Sequence, residues 1–282
     1  MKTLSHPQVD NMALWEKIVS RKHQPSKRRL QSIRSKVNER YEFYEAHINS
    51  LNKILPLDST EWIDVKDDLQ SCFGRNVEFN KVRQKIFNTL AEASQTKCPY
   101  CMLNRPNTLD HYFDKDDYPE LSVYVPNLVP CCSECNSRKS TFLFDAQGNR
   151  EYIHFYHDPI PEEQFLFIRY SYSKPDGIPI INIHLKLDPN FEISRLIQTH
   201  FQKLSLLEKY KHAIKDNTAP IIEDIQMYLQ NGLSIDETKN LLQIQHRSRV
   251  KSFGNNYWES CIYEGIINSP SFLEEIAQTV SI

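Results

Sequence analysis

Residues 98–139 read CPYCMLNRPNTLDHYFDKDDYPELSVYVPNLVPCCSECNSRK, and this stretch gathers more candidate ligands and bases than any other part of the chain. Cys98 and Cys101 form one Cys-x-x-Cys pair, and Cys132 and Cys135 form a second. Two residues between cysteines let both sulfurs of a pair reach one ion from a tight knuckle, and Zn²⁺ prefers four such thiolates in a tetrahedron. A closed four-thiolate site leaves no position for substrate, so the zinc expected here is structural. The alternative is four buried thiols that happen to be paired. Cys131 has the wrong spacing with Cys135 and reads as a small buried residue, like Cys72 and Cys261.

The thirty or so residues inside the clamp form something of their own. Thr108–Phe113 (TLDHYF) reads as a short strand. Period two puts Asp110 and His111 on opposite faces, unless the pair sits at the strand's end. A loop follows, then a second strand through NLVP, then a helix starting at the second knuckle with Asn136 in its first turn. A ββα unit with a zinc at its base is the economical fold. Tyr112 and Phe113 read as its core, and Asn127 as an Asx turn after Pro126 or as a residue with a role of its own.

Working outward, Phe43, His47, Ile48, Leu51 and Leu55 stand at helical spacing in residues 41–55, and Val82, Ile86, Phe87 and Leu90 do so in Phe79–Ala91. Both segments predict core-packed helices. From Glu16 to Arg40 the charged residues are basic (Lys17, Arg21, Lys22, Lys27, Arg28, Arg29, Arg34, Lys36 and Arg40), apart from Glu16 and Glu39. On a helix broken near Pro25 they form either a phosphate-facing surface or an ordinary solvated face. Asp58, Glu61, Asp64, Asp67 and Asp68 make an acidic, helix-starting surface anchored by Trp62. Beyond the motif, His154 and His157 in YIHFYHDP read as packed or exposed histidines that could also reach the site.

Residues 164–173 and 178–187 are rich in β-branched and aromatic side chains, and Lys174, Pro175, Asp176 and Gly177 between them make a turn sequence, which predicts a hairpin. From about Ser194 one helical stripe carries Ile197, Phe201, Leu204, Leu207 and Ile214. A second helix is expected from Pro220 to Gly232, a third behind a Ser234/Glu237 capping box, and a fourth over Asn256–Asn268. Six glycines agree with a mostly helical chain. The sequence therefore divides into an N-terminal helical region (1–95), the zinc-clamped core with its following hairpin (96–187), and a C-terminal helical region (188–282). The fold class is α+β.

At 282 residues and 40% apolar, the chain can bury one substantial core, or one core with a smaller satellite. The net charge of −2 excludes binding of a polyanion by bulk charge, so nucleic-acid contact must come from local patches. No run of roughly 18 apolar residues predicts a membrane span. The start, MKTLSHPQVDNMALW, lacks the order of a secretory signal, which predicts a cytoplasmic protein. Seven cysteines in such a chain favour metal ligation over disulfides.

Asp-His, then Asn-Leu, then Cys-x-x-Cys-Asn-x-x-Lys, behind a preceding Cys-x-x-Cys, resembles the HNH or ββα-metal nuclease superfamily. DHYFDKDDYPELSVYVPNLVPCCSECNSRKS is similar to one bacterial branch of it, and the segment Asn256–Gly265 also looks like that branch. Asp114 stands where the branch usually shows proline, a difference that bears on loop shape. The resemblance implies a metal-dependent endonuclease. His111 matches the general base, Asp110 and Asn136 match the ligands of a catalytic Mg²⁺ or Mn²⁺, and Asn127 matches the asparagine that holds the loop and helps orient the base. Arg138 and Lys139 match phosphate contacts. It also implies nucleic acid as partner, DNA first, and a likeness to the nuclease subunits of Septu-type and retron anti-phage systems, which act with an ATPase. Restriction and mobile-element nucleases use the same motif. A zinc-stabilised nucleic-acid-binding module or a scaffold subunit without cleavage is the other class.

Overall fold

The computed structural model describes residues 1–74, 76–92, 95–173 and 178–280. The chain divides into two compact units, Thr3–Pro159 and Ile160–Ile282, the latter joined by Met1–Lys2. The hairpin expected to follow the core thus belongs with the C-terminal helices. The fold is α+β, mostly helical, with two two-stranded antiparallel sheets.

The first unit opens with helices α1 (Asn11–Ser20), α2 (Ser26–Ser32) and α3 (Arg34–Ala46). Asp10 caps α1 by accepting the Ala13 N–H at 2.8 Å, and the helix buries Leu14, Trp15, Ile18 and Val19. The break near Pro25 is present. The helix expected over 41–55 is not: α3 stops at Ala46, Leu55 is exposed, and the buried face is Val37, Arg40, Tyr41 and Tyr44. The His47 ring donates to the Phe43 carbonyl at 2.8 Å, so side chain replaces backbone as the donor that would continue the helix. α4 (Lys66–Gln70) and α5 (Val77–Thr89) follow, with Asn76 capping α5 through the Phe79 N–H at 2.7 Å.

The basic and acidic stretches meet each other. Arg29 pairs with Asp68 at 2.7 Å, Lys36 pairs with Glu61 and lies 4.3 Å above the ring of buried Trp62, and Arg40 pairs with Glu120 at 2.9 Å. Much of the positive charge that could have faced phosphate is spent inside the unit. Both α3 and α4 pack on the short 3₁₀ turn Pro119–Leu121, and the Tyr118 hydroxyl donates to the Ile54 carbonyl at 2.9 Å. The N-terminal helices thereby grip the loop between the two strands of the motif.

Those strands are β1 (Thr108–His111) and β2 (Leu128–Cys131), paired antiparallel with Asp110 opposite Val129 and His111 opposite Leu128. Helix α6 (Ser133–Lys139) follows and packs on β1, completing the ββα order. Asp110 and His111 end their strand, the one place where neighbours escape strict alternation.

In the second unit β3 (Leu166–Ser173) pairs with β4 (Ile178–Leu185), Leu166 opposite Leu185. The intervening Lys174–Gly177 lies outside the described residues. Leu166, Ile168 and Tyr170 are the buried alternating positions of β3, which packs on α10 (Trp258–Ile267) and α11 (Pro270–Val280), while β4 packs on α8 (Leu206–Gln230); α7 (Glu192–Lys203) packs on α8 and α9 (Ile235–Phe253) on α10. The single stripe expected from Ser194 to Ile214 is two helices, broken where Ser205 takes a φ of 51°. Pro220 does not begin a helix but lies within α8. A proline in a helix interior costs about 3 kcal/mol. Leu206, Tyr210, Ile214, Ile221 and Ile225 carry the buried stripe past it on both sides. The Ser234/Glu237 capping box is formed. Asn256 accepts the N–H groups of Phe165 and Leu166 at 2.7 and 3.1 Å, and Gly265 lets α10 approach β3 so closely that a Cβ would stand 2.6 Å from the Ile168 carbonyl oxygen. The Asn256–Gly265 segment is therefore packing machinery.

Candidate metal and catalytic site

Four sulfurs converge at the base of the ββα unit. Those of Cys98, Cys101, Cys132 and Cys135 all lie within 4.8 Å of one another, all buried, and Cys101 and Cys132 are 3.9 Å apart. A tetrahedron with Zn–S of about 2.3 Å places its sulfurs about 3.8 Å apart, so the spacing fits. Met102 turns the first knuckle with a φ of 53°, and its N–H donates to the Cys98 carbonyl at 2.7 Å. The Cys132 N–H donates to the Cys98 sulfur at 3.2 Å, and the Cys135 N–H donates to the Cys132 sulfur at 3.5 Å. Hydrogen bonds among the sulfurs pull the Cys132 thiol below its ordinary pKa and push the Cys135 thiol above its own, and burial raises Cys98. Thiolates with N–H donors in a closed, buried shell can hold a metal such as zinc. Among the described residues this is the one group of three or more cysteine, histidine or acidic residues placed to bind an ion.

Asp110 turns from β1 toward the first knuckle. Its Oδ2 accepts the Tyr100 hydroxyl at 2.7 Å, and the Lys139 ammonium reaches Oδ1 at 3.2 Å and Oδ2 at 3.1 Å. Burial pushes the Asp110 carboxyl above its ordinary pKa, while Lys139 and Tyr100 pull it down. Lys139 also donates to the His111 carbonyl at 2.9 Å and is 1% exposed. Its charge is thus directed at Asp110, and the exposed cation beside it on α6 is Arg138.

His111 takes different surroundings. Its Nε2 lies 2.9 Å from the Ser122 carbonyl oxygen, and its ring stands edge-on to Phe73 with centroids 4.3 Å apart. A carbonyl oxygen only accepts, so Nε2 carries the proton and Nδ1 keeps its lone pair. No described residue hydrogen-bonds that Nδ1. Burial lowers the ring's pKa to about 4, against the upward pull of the Ser122 carbonyl.

Asn127 is fully buried and staples the loop. Its Oδ1 accepts the Phe113 N–H at 2.8 Å, its Nδ2 donates to the Phe113 carbonyl at 2.9 Å, and its own carbonyl accepts the Tyr112 N–H at 2.9 Å. Asn136 lies on α6 three residues before Lys139, so the two share a side of the helix. Its side-chain amide has no hydrogen-bond partner among the described residues. Asp114 accepts the N–H groups of Asp116 and Asp117 at 2.9 and 3.1 Å, an Asx turn that shapes the loop where proline would otherwise do so.

His154 and His157 are packing residues. His154 accepts the Tyr156 N–H on Nδ1 at 3.3 Å and meets the Tyr44 hydroxyl on Nε2 at 3.1 Å, and the two rings lie 4.4 Å apart. Arg150 grips Asp158 at 2.8 and 2.9 Å and also donates to the Tyr112 hydroxyl. Sequence reasoning missed Tyr100, Phe73 and Ser122. The first was visible inside the knuckle, but Ser122 acts through its carbonyl, which no side-chain pattern reveals.

No family model matches the chain, and no solved structure matches it. It is 23% identical to Protein ea31 of Escherichia phage lambda over 225 residues, 75% of each chain. It is 39% identical to Septu protein PtuB of Bacillus thuringiensis over 57 residues, 18% of this chain and 22% of that one. No described helix is long and apolar enough to cross a membrane.

Proposed function

We propose that this chain is a metal-dependent HNH endonuclease that hydrolyses nucleic-acid phosphodiester bonds, DNA first, and that it serves anti-phage defence with an ATPase partner. The observation that carries the nuclease reading is His111, a neutral imidazole fixed by the Ser122 carbonyl, its Nδ1 lone pair unclaimed. It directly follows a buried carboxylate at the end of the same strand. The partial likeness to Septu protein PtuB supports the defence context.

Nδ1 of His111 takes a proton from the attacking water, and the Ser122 carbonyl stabilises the imidazolium that results. A phosphodiester beside the ring raises the pKa of His111 from about 4 toward the working pH, since an anion favours the charged form. Asp110 and Asn136 offer the two oxygen donors for a hard divalent ion, and Oδ1 of Asp110, with a single contact, keeps a lone pair for it. That ion, when bound, supplies a Lewis acid for the phosphate and for charge on the leaving oxygen. Lys139 fixes the carboxylate, Asn127 fixes the loop that follows the base, and Arg138, exposed on α6, is the residue proposed to meet phosphate. Water attacks phosphorus, the bond to the 3′ oxygen breaks, and the products carry 5′-phosphate and 3′-hydroxyl ends. The four thiolates, closed to substrate, hold a structural zinc.

A nuclease borne by a phage or other mobile element is the second reading, favoured by the longer likeness to a lambda protein. The test is cleavage of plasmid, single-stranded DNA and RNA with Mg²⁺ or Mn²⁺, beside EDTA and His111→Ala. Wild type should cut, and the variant should lose about 10²–10⁴-fold. Equal activity in the variant removes His111 as base. If wild type never cuts, alone or with an ATPase encoded beside it, the chain is a binding or scaffold subunit.

A further inference from the structure

Tyr100 belongs to two sites at once. It sits between Pro99 and Cys101 in the first knuckle, 1% exposed, with its ring packed at 5.2 Å from that of Phe155, and its hydroxyl donates to Oδ2 of Asp110 at 2.7 Å. The other group on that carboxylate, the Lys139 ammonium, closes the helix that Cys132 caps and lies one turn beyond Cys135. Both groups that fix Asp110 are therefore carried by backbone that the four sulfurs draw together. Neither zinc ligation nor the proposed hydrolysis requires a tyrosine at this position.

We propose that Tyr100 is a positioning residue that couples the four-cysteine cluster to the Asp110 carboxylate, so that the thiolate site and the affinity of Asp110 for a divalent ion are linked. This rests on the metal-dependent reading of Asp110 and adds to it the route by which the clamp acts. A buried carboxylate can turn about its side-chain torsions, and its oxygens are shared between Tyr100 and Lys139. With the phenol gone, Oδ2 loses a charge-assisted hydrogen bond, the group settles onto the ammonium, and Oδ1 turns away from an incoming ion. The linkage is reciprocal, because coupling between two binding equilibria acts equally in both directions.

The test uses the full-length, zinc-loaded protein at one pH, with free Mn²⁺ followed by electron paramagnetic resonance and zinc by metal analysis. Tyr100→Phe keeps the ring and should keep its zinc, while its Mn²⁺ affinity falls about tenfold. Adding Tyr100→Phe to Asp110→Asn should change nothing further. Wild-type Mn²⁺ affinity in Tyr100→Phe overturns the coupling and leaves the nuclease reading standing. Absence of Mn²⁺ binding by wild type, or equal binding by Asp110→Asn, overturns both. A second readout needs no variant: with Co²⁺ in the thiolate site, its visible bands should shift as Mn²⁺ saturates the wild type, and unmoved bands overturn the linkage.

Discussion

The four-cysteine cluster and the Asp110–His111 site sit in one short ββα unit and are built in opposite ways. In the cluster, side chains from two knuckles converge to within 4.8 Å and close off a buried volume. At the end of β1, adjacent side chains diverge. Asp110 goes to Tyr100 and Lys139, and His111 goes to Phe73 and the Ser122 carbonyl. The first site is defined by the atoms it gathers, the second by what it leaves unengaged, namely Nδ1 of His111 and the Asn136 amide. A closed shell spends its free energy on holding the fold, whereas an open one keeps lone pairs for a substrate.

Cys132→Ser tests that division most severely. A structural zinc site contributes roughly 10 kcal/mol or more to folding, which matches the whole stability of an ordinary domain. The variant should lose its zinc and the cooperative melt of residues 3–159, read by metal analysis and circular dichroism. His111→Ala should do the reverse, costing about 1 kcal/mol for one hydrogen bond while cleavage collapses. Unchanged melting in Cys132→Ser, or a collapsed fold in His111→Ala, breaks the comparison.

Asn127→Ala comes next, at about 3 kcal/mol, because it orphans a buried N–H and a buried carbonyl on Phe113 together. Its melting point should drop while its zinc stays, which would place Asn127 with the loop that follows His111 and apart from the clamp. Zinc lost at the same rate as in Cys132→Ser would merge the two regions into one.

The clamp could be read from sequence because its chemistry dictates spacing: thiolates from one knuckle reach one ion only at short, fixed intervals. The hairpin and the Ser234 capping box were legible for the same local reason. The end of α3 was not, since the stripe drawn through Phe43 and Leu55 fitted helical spacing while the structure buries Tyr41 and Tyr44 instead. The basic stretch also depended on contacts far along the chain, where Glu61, Asp68 and Glu120 supply its counter-charges. The residues named for the site were in place as types, but their working state was set by Tyr100 and by a backbone carbonyl, neither of which the motif specifies.

The smallest effect concerns the histidines packed behind the site. His157 is held to a pKa of about 4 by burial, and burial lowers His154 as well. A histidine whose folded pKa is depressed contributes stability that is present above the unfolded value, near 6.5, and is lost as the pH falls toward the folded value. For His157 alone the loss should reach about 2 kcal/mol by pH 5. His154 adds to it, and its ring lies 4.2 Å from that of Tyr112, the residue next to His111. Melting temperature followed from pH 7 to 5 should fall steeply in wild type and more gently in His157→Gln. Identical slopes would assign the pH dependence to other groups and separate these rings from the stability of the loop that follows His111. A gentler slope with zinc content unchanged would show the two regions failing by different routes: the open site's support by protonation, the clamp only by losing its metal.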